Sequence, residues 1–167
     1  MLGTIAAAAA LAAGSAPEDF MARLDQAMPG TPAEAVLALF PEGTGVRHLP
    51  GRVAIEDVTV SPDCEADGDI ALEGGAVREI ELRGEGAILG RCGAEMLEAL
   101  AARFGSPDGR RSRGETPWRR SRTVYEWRRE GRTIRYTHYT SAGYAGSGLM
   151  SASWVLNVSA GGGAGGD

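Results

Sequence analysis

The stretch that most constrains the fold is SRTVYEWRREGRTIRYTHYT, residues 121–140, because it closes on itself in one register only. A turn at Glu130-Gly131 sets Trp127 opposite Ile134 and Tyr125 opposite Tyr136 on one face, with Glu126 opposite Arg135 on the other. A slip of one residue would exchange the faces and scatter the apolar set, so the side chains themselves fix the hairpin.

Upstream, GAEMLEALAARF places Met96, Leu97, Leu100, Ala101 and Phe104 on one helical face, and Gly105 with Pro107 ends that helix. Residues 106–121 read as a long polar loop. Downstream, MSASWVLNV alternates Met150, Ala152, Trp154, Leu156 and Val158 with polar or smaller residues, as a final strand does. The Gly-rich tail 159–167 offers nothing to hold it and is expected to be disordered.

The first half has a similar order. Phe20, Met21, Leu24 and Met28 share one face of a helix over 17–28. Thr31 as cap, Pro32 at the first position and Glu34 start a second helix that Pro41 stops after Phe40. In GRVAIEDVTV, Val53 and Ile55 alternate on one parity and Val58 and Val60 on the other, which a β-bulge near Asp57 reconciles. Ile70 and Leu72 then pair across Glu73-Gly74-Gly75 with Val77, Ile80 and Leu82, with an irregularity near Arg78. The segments Ala33-Glu34-x-Val36-x-Ala38-Leu39 and Ala94-Glu95-x-Leu97-x-Ala99-Leu100 match at an offset of 61 residues. The expected fold class is therefore α+β: a single domain over 17–158, built from two helix-plus-antiparallel-sheet repeats of about three strands each, about 29–85 and 90–158, sharing one core.

Residues 1–16, MLGTIAAAAALAAGSA, carry no charge and an apolar run followed by small residues, the pattern of a secretory signal peptide. The run is too short to span a bilayer, which takes about 20 residues. The expected location is periplasmic or secreted. Cys64 and Cys92 are the only cysteines, and in an oxidising compartment they are expected to form a disulfide worth about 3 kcal/mol.

GTPAEAVLALF in the first half, and LEALAARFGSP leading into YEWRREGRTIRY in the second, resemble the tandem helix-plus-sheet exported domains of the β-lactamase-inhibitor-protein type. Half by half they also resemble the small BamE (SmpA)-like assembly lipoproteins. The likeness covers about residues 29–158 and lacks the lipobox cysteine. It implies a non-catalytic, protein-binding α+β module, by analogy of fold.

Charge divides the chain. Between Arg110 and Arg135 ten arginines stand against Glu115, Glu126 and Glu130, a local charge of +7, whereas residues 1–109 carry −11. Arg110, Arg111, Arg113, Arg119, Arg120 and Arg122 surround Trp118 and form the candidate surface for a protein or an anionic envelope glycan or lipid. The alternative is an Arg-rich loop that is merely solvated, or neutralised by lying across the acidic first half. The overall charge of −5 and the export signal argue against nucleic acid.

Asp63, Glu65, Asp67 and Asp69 copy the first part of a calcium loop, but Gly74 stands where the closing glutamate belongs, and an acidic surface turn is the simpler reading. No cofactor is implied. The two histidines, His48 and His138, lie in no catalytic motif, and no nucleophile, base and orienting group assemble. The expected function is an exported binding module; a small secreted hydrolase using Cys92 or His138 is the alternative, and a calcium-binding acidic loop a further one.

Overall fold

Alternating apolar residues mark most of the strands of this chain, and all of the described strands join a single sheet. The structure is a computed structural model that describes residues 16–62, 64–86, 91–115, 120–142 and 150–161. Two helices, α1 (Ala16–Gln26) and the short α2 (Ala33–Leu37), precede strands β1 (Thr44–Leu49), β2 (Arg52–Ser61), β3 (Cys64–Glu73) and β4 (Ala76–Gly86). Helix α3 (Cys92–Phe104) precedes β5 (Gly109–Glu115), β6 (Arg120–Arg129), β7 (Arg132–Ala142) and β8 (Met150–Ala160). All eight strands form one antiparallel sheet in the order β1-β2-β3-β4-β8-β7-β6-β5.

This corrects the expected fold class. Strand makes up 58% and helix 22% of the described residues, so the architecture is sheet-dominated and not two helix-plus-sheet repeats of three strands. Each run of strands holds four members, and β4 pairs with β8 from Glu79↔Ser159 to Gly86↔Ala152, carrying backbone hydrogen bonding without a break from one half to the other. Two strands had no signature in the sequence. The stretch 106–121 contains β5 where a polar loop was expected, and β1 lies shortly after the Pro41 expected to stop the second helix, where no strand was expected. Every residue of β1 is exposed, so no apolar alternation marks it. The β5 sequence GRRSRGE contains no apolar side chain at all.

The other elements follow their side chains. The hairpin of β6 and β7 pairs Tyr125↔Tyr136, Glu126↔Arg135 and Trp127↔Ile134. Its turn residues Glu130 and Gly131 both take positive φ, 52° and 75°, which tight two-residue hairpins require. The pairing of β2 with β3 shifts between Ile55 and Val58, and Asp57 there has φ 57°, so both halves of β2 bury their apolar residues on one face. The turn of β3 and β4 sets Leu72↔Val77 and Ile70↔Ile80 with a register shift between Ala71 and Leu72. Residues 30–33 depart from the expected cap. Gly30 N–H donates to the Val77 carbonyl at 2.6 Å and Val77 N–H to the Thr31 carbonyl at 2.8 Å, so Thr31 joins the start of β4 and α2 begins at Ala33.

Helices α1 and α3 lie on one face of the sheet and touch each other. Phe20, Met21, Leu24 and Ala27 of α1 and Met96 and Leu100 of α3 share one buried cluster with Val53, Ile70, Ile80, Trp127, Tyr136, Trp154 and Leu156. Met28, expected on the buried face of α1, is only partly covered. Gly84 pairs with Trp154 across the β4–β8 seam, and a Cβ there would come within 2.3 Å of the indole ring. The glycine is what lets the indole lie flat on the neighbouring strand.

A buried ion pair ties α1 to the far half of the sheet. Arg132 of β7 is 3% exposed; its Nη2 donates to Asp25 at 2.6 Å, and its guanidinium lies 5.3 Å from the centre of the Phe104 ring. Arg103 of α3 donates to the other Asp25 oxygen at 2.5 Å. Removing one partner of a buried pair leaves an uncompensated charge, which costs about 3 kcal/mol or more. Asp25→Ala is therefore expected to lower the urea midpoint sharply, and Asp25→Asn combined with Arg132→Met to recover much of the loss. A double variant no more stable than Asp25→Ala would show that the charge is not the source.

Candidate binding surface

The hairpin that fixes the fold also sorts its side chains by face. Tyr125 and Trp127 of β6, with Ile134 and Tyr136 of β7, point toward α3 and the core, and Trp127 Nε1 donates to the Gly105 carbonyl at 2.8 Å. Arg122, Val124, Glu126 and Arg128 therefore point to the opposite face, which carries no helix among the described residues. Strand β5 extends this division. Arg110 pairs with Tyr125, so it lies on the helix side, its guanidinium 5.5 Å from the centre of the Tyr125 ring. Arg111 opposes Val124 and Arg113 opposes Arg122, which puts Arg111, Arg113 and Arg122 together on the open face.

These arginines differ from most others in the chain. Arg23, Arg47, Arg52, Arg83, Arg103, Arg128, Arg129, Arg132 and Arg135 each have a carboxylate within ion-pair distance. Among the residues whose side chains are described, Arg110, Arg111, Arg113 and Arg122 have none, and neither do the two scattered arginines Arg78 and Arg91. The pairing Arg113↔Arg122 sets two like charges directly across neighbouring strands, an arrangement that costs stability unless an anion lies between them. Arg122 also stands 5.9 Å from the centre of the Tyr139 ring, and Tyr139 is 38% exposed. The basic hairpin does not cross the acidic first half: β5 is the outermost strand, at the edge opposite β1.

Beside these arginines a hollow of about 240 Å³ is lined by Asp108, Gly109, Arg111, Val124, Glu126 and Arg128. Both carboxylates in it are already engaged. Asp108 accepts the Arg128 backbone N–H and Arg129 Nη1, each at 2.7 Å. Glu126 accepts Arg128 Nη2 at 2.8 Å and Arg135 Nη2 at 3.3 Å. Among the described residues, Arg111 is left as the unengaged cation of the hollow.

Of the sequence-based candidates, Arg110, Arg111, Arg113 and Arg122 are brought together. Trp118 and Arg119 lie outside the described residues, and Arg120 is placed by its backbone alone, at the start of β6 opposite Glu115. Residues 1–15 of the expected signal peptide and 162–167 of the tail also lie outside them; Ser159 and Ala160, assigned to that tail, belong to β8. Val124 and Tyr139 on the open face went unnoticed in the sequence.

The acidic candidates end up apart. Asp63 lies outside the described residues, and Glu65, Asp67 and Asp69 alternate along β3 instead of curling into a turn. Asp69 is taken by Arg52 at 3.0 Å, and no group of three among the described residues is placed to hold a metal.

Cys64 and Cys92 form a disulfide, and Trp154 Nε1 donates to Cys92 Sγ at 3.1 Å. The bond occupies the sulfur that a thiol nucleophile would need. His138 lies opposite Thr123 and Trp154, with its ring 6.4 Å from that of Tyr136, and burial lowers its pKa. The Tyr136 hydroxyl donates to the Gly93 carbonyl at 2.7 Å. No described helix is long and apolar enough to cross a membrane. Comparison with protein-family models, with curated proteins and with solved structures finds no match for this chain.

Two predictions follow from these contacts. The Arg128 backbone N–H is the largest influence on Asp108 and lowers its pKa; desolvation opposes it, and Arg129 adds to the lowering. Burial would raise the Glu126 pKa, but Arg128 and Arg135 together outweigh it, and the net direction is down. A carboxylate whose folded pKa is depressed stabilises above its unfolded value of about 4, and that stability is lost as pH falls through the folded value. Melting temperature should fall between about pH 5 and 3, and less steeply in Asp108→Asn; identical slopes would remove Asp108 from the account. Reduction of Cys64–Cys92 should cost about 3 kcal/mol in urea titrations. It should also raise Trp154 emission, which an adjacent disulfide quenches. A chain whose midpoint ignores reductant would refute the contribution.

Proposed function

We propose that this chain is an exported binding module that holds an anionic partner, a protein or an envelope component, on the open face of the β5–β6 hairpin. The observation that carries the reading is the trio Arg111, Arg113 and Arg122. They face one way on the sheet side without helices, without a described carboxylate partner, in a chain where nine other arginines have one. Unpaired guanidinium groups held in rows by a sheet bind carboxylates and phosphates through forked hydrogen bonds, and long-range attraction of acidic surfaces accompanies them. Tyr139 and Val124 supply apolar surface between the charges.

Export is part of the same reading. A disulfide joining a strand to the first turn of a helix suits an oxidising compartment such as the periplasm, and the signal-like residues 1–16 agree with it. The resemblance to exported protein-binding modules points the same way.

The test compares two variants of equal charge. Arg111→Ser/Arg113→Ser/Arg122→Ser removes the trio, and Arg47→Ser/Arg52→Ser/Arg83→Ser removes three arginines that have carboxylate partners. Each is passed over immobilised envelope extract and over anionic and neutral vesicles, at low and high salt. The trio variant is expected to lose about ten-fold or more in affinity, equivalent to about 1.4 kcal/mol, with the control close to the parent chain. The parent chain's binding should weaken with salt. Equal retention of both variants would refute the assignment.

A further inference from the structure

We propose that β5 accepts an extended acidic segment of a partner protein as an additional strand. The inference rests on the anion-binding reading of the hairpin and narrows it to strand pairing, with the partner's acidic residues at every second position.

The two edges of this sheet are not alike. At one edge, β1 is broken by a register shift between Thr44 and Arg47, Gly45 within it has φ 58°, and Arg47 is tied to Glu56 at 2.9 Å. A bent edge of this kind is a poor template for another strand. At the other edge β5 pairs with β6 residue for residue from Gly109↔Glu126 to Glu115↔Arg120, with no shift. Among the described residues β6 is its only neighbour. Its outward backbone N–H and C=O groups therefore form a straight row, and β5 contains no proline.

Charge is what guards this edge, and charge discriminates between guests. A second copy adding antiparallel about Ser112 would set Arg111 against Arg113 twice on the open face, a row of four guanidinium groups. Self-association at this edge is thereby opposed. An incoming strand with carboxylates at alternate positions instead places them beside Arg111 and Arg113, with Arg122 directly behind Arg113. Its intervening residues fall on the helix side next to Arg110 and Ser112, where Arg110 already lies over Tyr125 and Ser112 hydrogen-bonds Thr123 at 3.1 Å. Small polar residues fit there. Backbone pairing supplies affinity in such additions and alternate side chains supply selectivity.

The test uses a peptide alternating Glu and Thr, as long as β5, and a counterpart of the same charge with the central Thr replaced by Pro. Binding is followed by calorimetry, and β5 amides by hydrogen exchange. The alternating peptide is expected to bind about ten-fold more tightly than the Pro counterpart, because one proline removes a ladder hydrogen bond and the strand geometry with it. It should also slow exchange within residues 109–115. Arg111→Glu/Arg113→Glu, changes at exposed positions, should transfer preference to a peptide alternating Lys and Thr. Equal affinity for the two acidic peptides without amide protection would overturn strand addition, while loss of both in the trio variant would keep the anion-binding reading. Absence of binding by either peptide would overturn strand addition as well; if the chain also ignores anionic vesicles and envelope extract, the anion-binding reading goes with it.

Discussion

The pairing of β4 with β8 is the constraint on which the rest of this structure depends. Every other neighbouring pair in the sheet joins consecutive strands, so each forms at the low entropic cost of a short connection. The β4–β8 seam brings Glu79 against Ser159 and Gly86 against Ala152, and only through it do the two runs of strands bury a common face. Several devices converge on the seam. Trp154 lies flat on Gly84, its indole N–H reaches Cys92, and Cys92 is bonded to Cys64 on the neighbouring strand β3. The disulfide anchors the start of α3 to β3, and the large ring supplies apolar area where a glycine leaves room. At the other end of α3 the Asp25–Arg132 pair does similar work between α1 and β7, with both charges largely removed from water.

Legibility in the sequence followed from which contacts specify an element. The hairpins were legible because their own side chains set the register: Trp127 against Ile134, Ile70 against Ile80, and the parity change at Asp57 are all local patterns. The edge strands were not, since an edge strand is held by backbone pairing along one side and needs no apolar alternation. The same reasoning explains the acidic stretch. Glu65, Asp67 and Asp69 looked like a turn by composition, yet Ala66, Gly68 and Ile70 between them are buried, and it is their burial that makes β3 a strand. The Thr31 cap failed for a different reason, because Thr31 lends its carbonyl to Val77. Tertiary pairing there overrides a local signal that was well formed.

The candidate surface was legible as a charge asymmetry and illegible as a shape. Composition alone located the arginines, but as a disordered polar loop they would have had no common direction. Strand geometry gives them one: Arg111 and Arg113 project together because they are two residues apart, and Arg122 joins them because β6 runs antiparallel to β5. The same alternation separates the packed side chains from the proposed binding face within one hairpin. Tyr125 and Trp127 pack toward α3, while Arg122 and Val124 on the same strand face outward.

A strand such as GRRSRGE, with no apolar residue, has only one place in a sheet of this kind. In the interior it would have to cover half the core with guanidinium groups, and each would need a buried partner. At the edge its backbone has one neighbour to satisfy and its side chains stay in water. The lack of apolar residues that hid β5 from sequence patterns is therefore also what assigns it to the rim, where its outward hydrogen-bonding row lies in the plane of the sheet and Arg111 and Arg113 stand on the open face beside it. Edge position, unbroken register and charge thus come from one short sequence, and the proposed selectivity of this rim rests on them together: a second copy would be repelled, whereas an acidic strand would meet both its hydrogen bonds and its counter-charges.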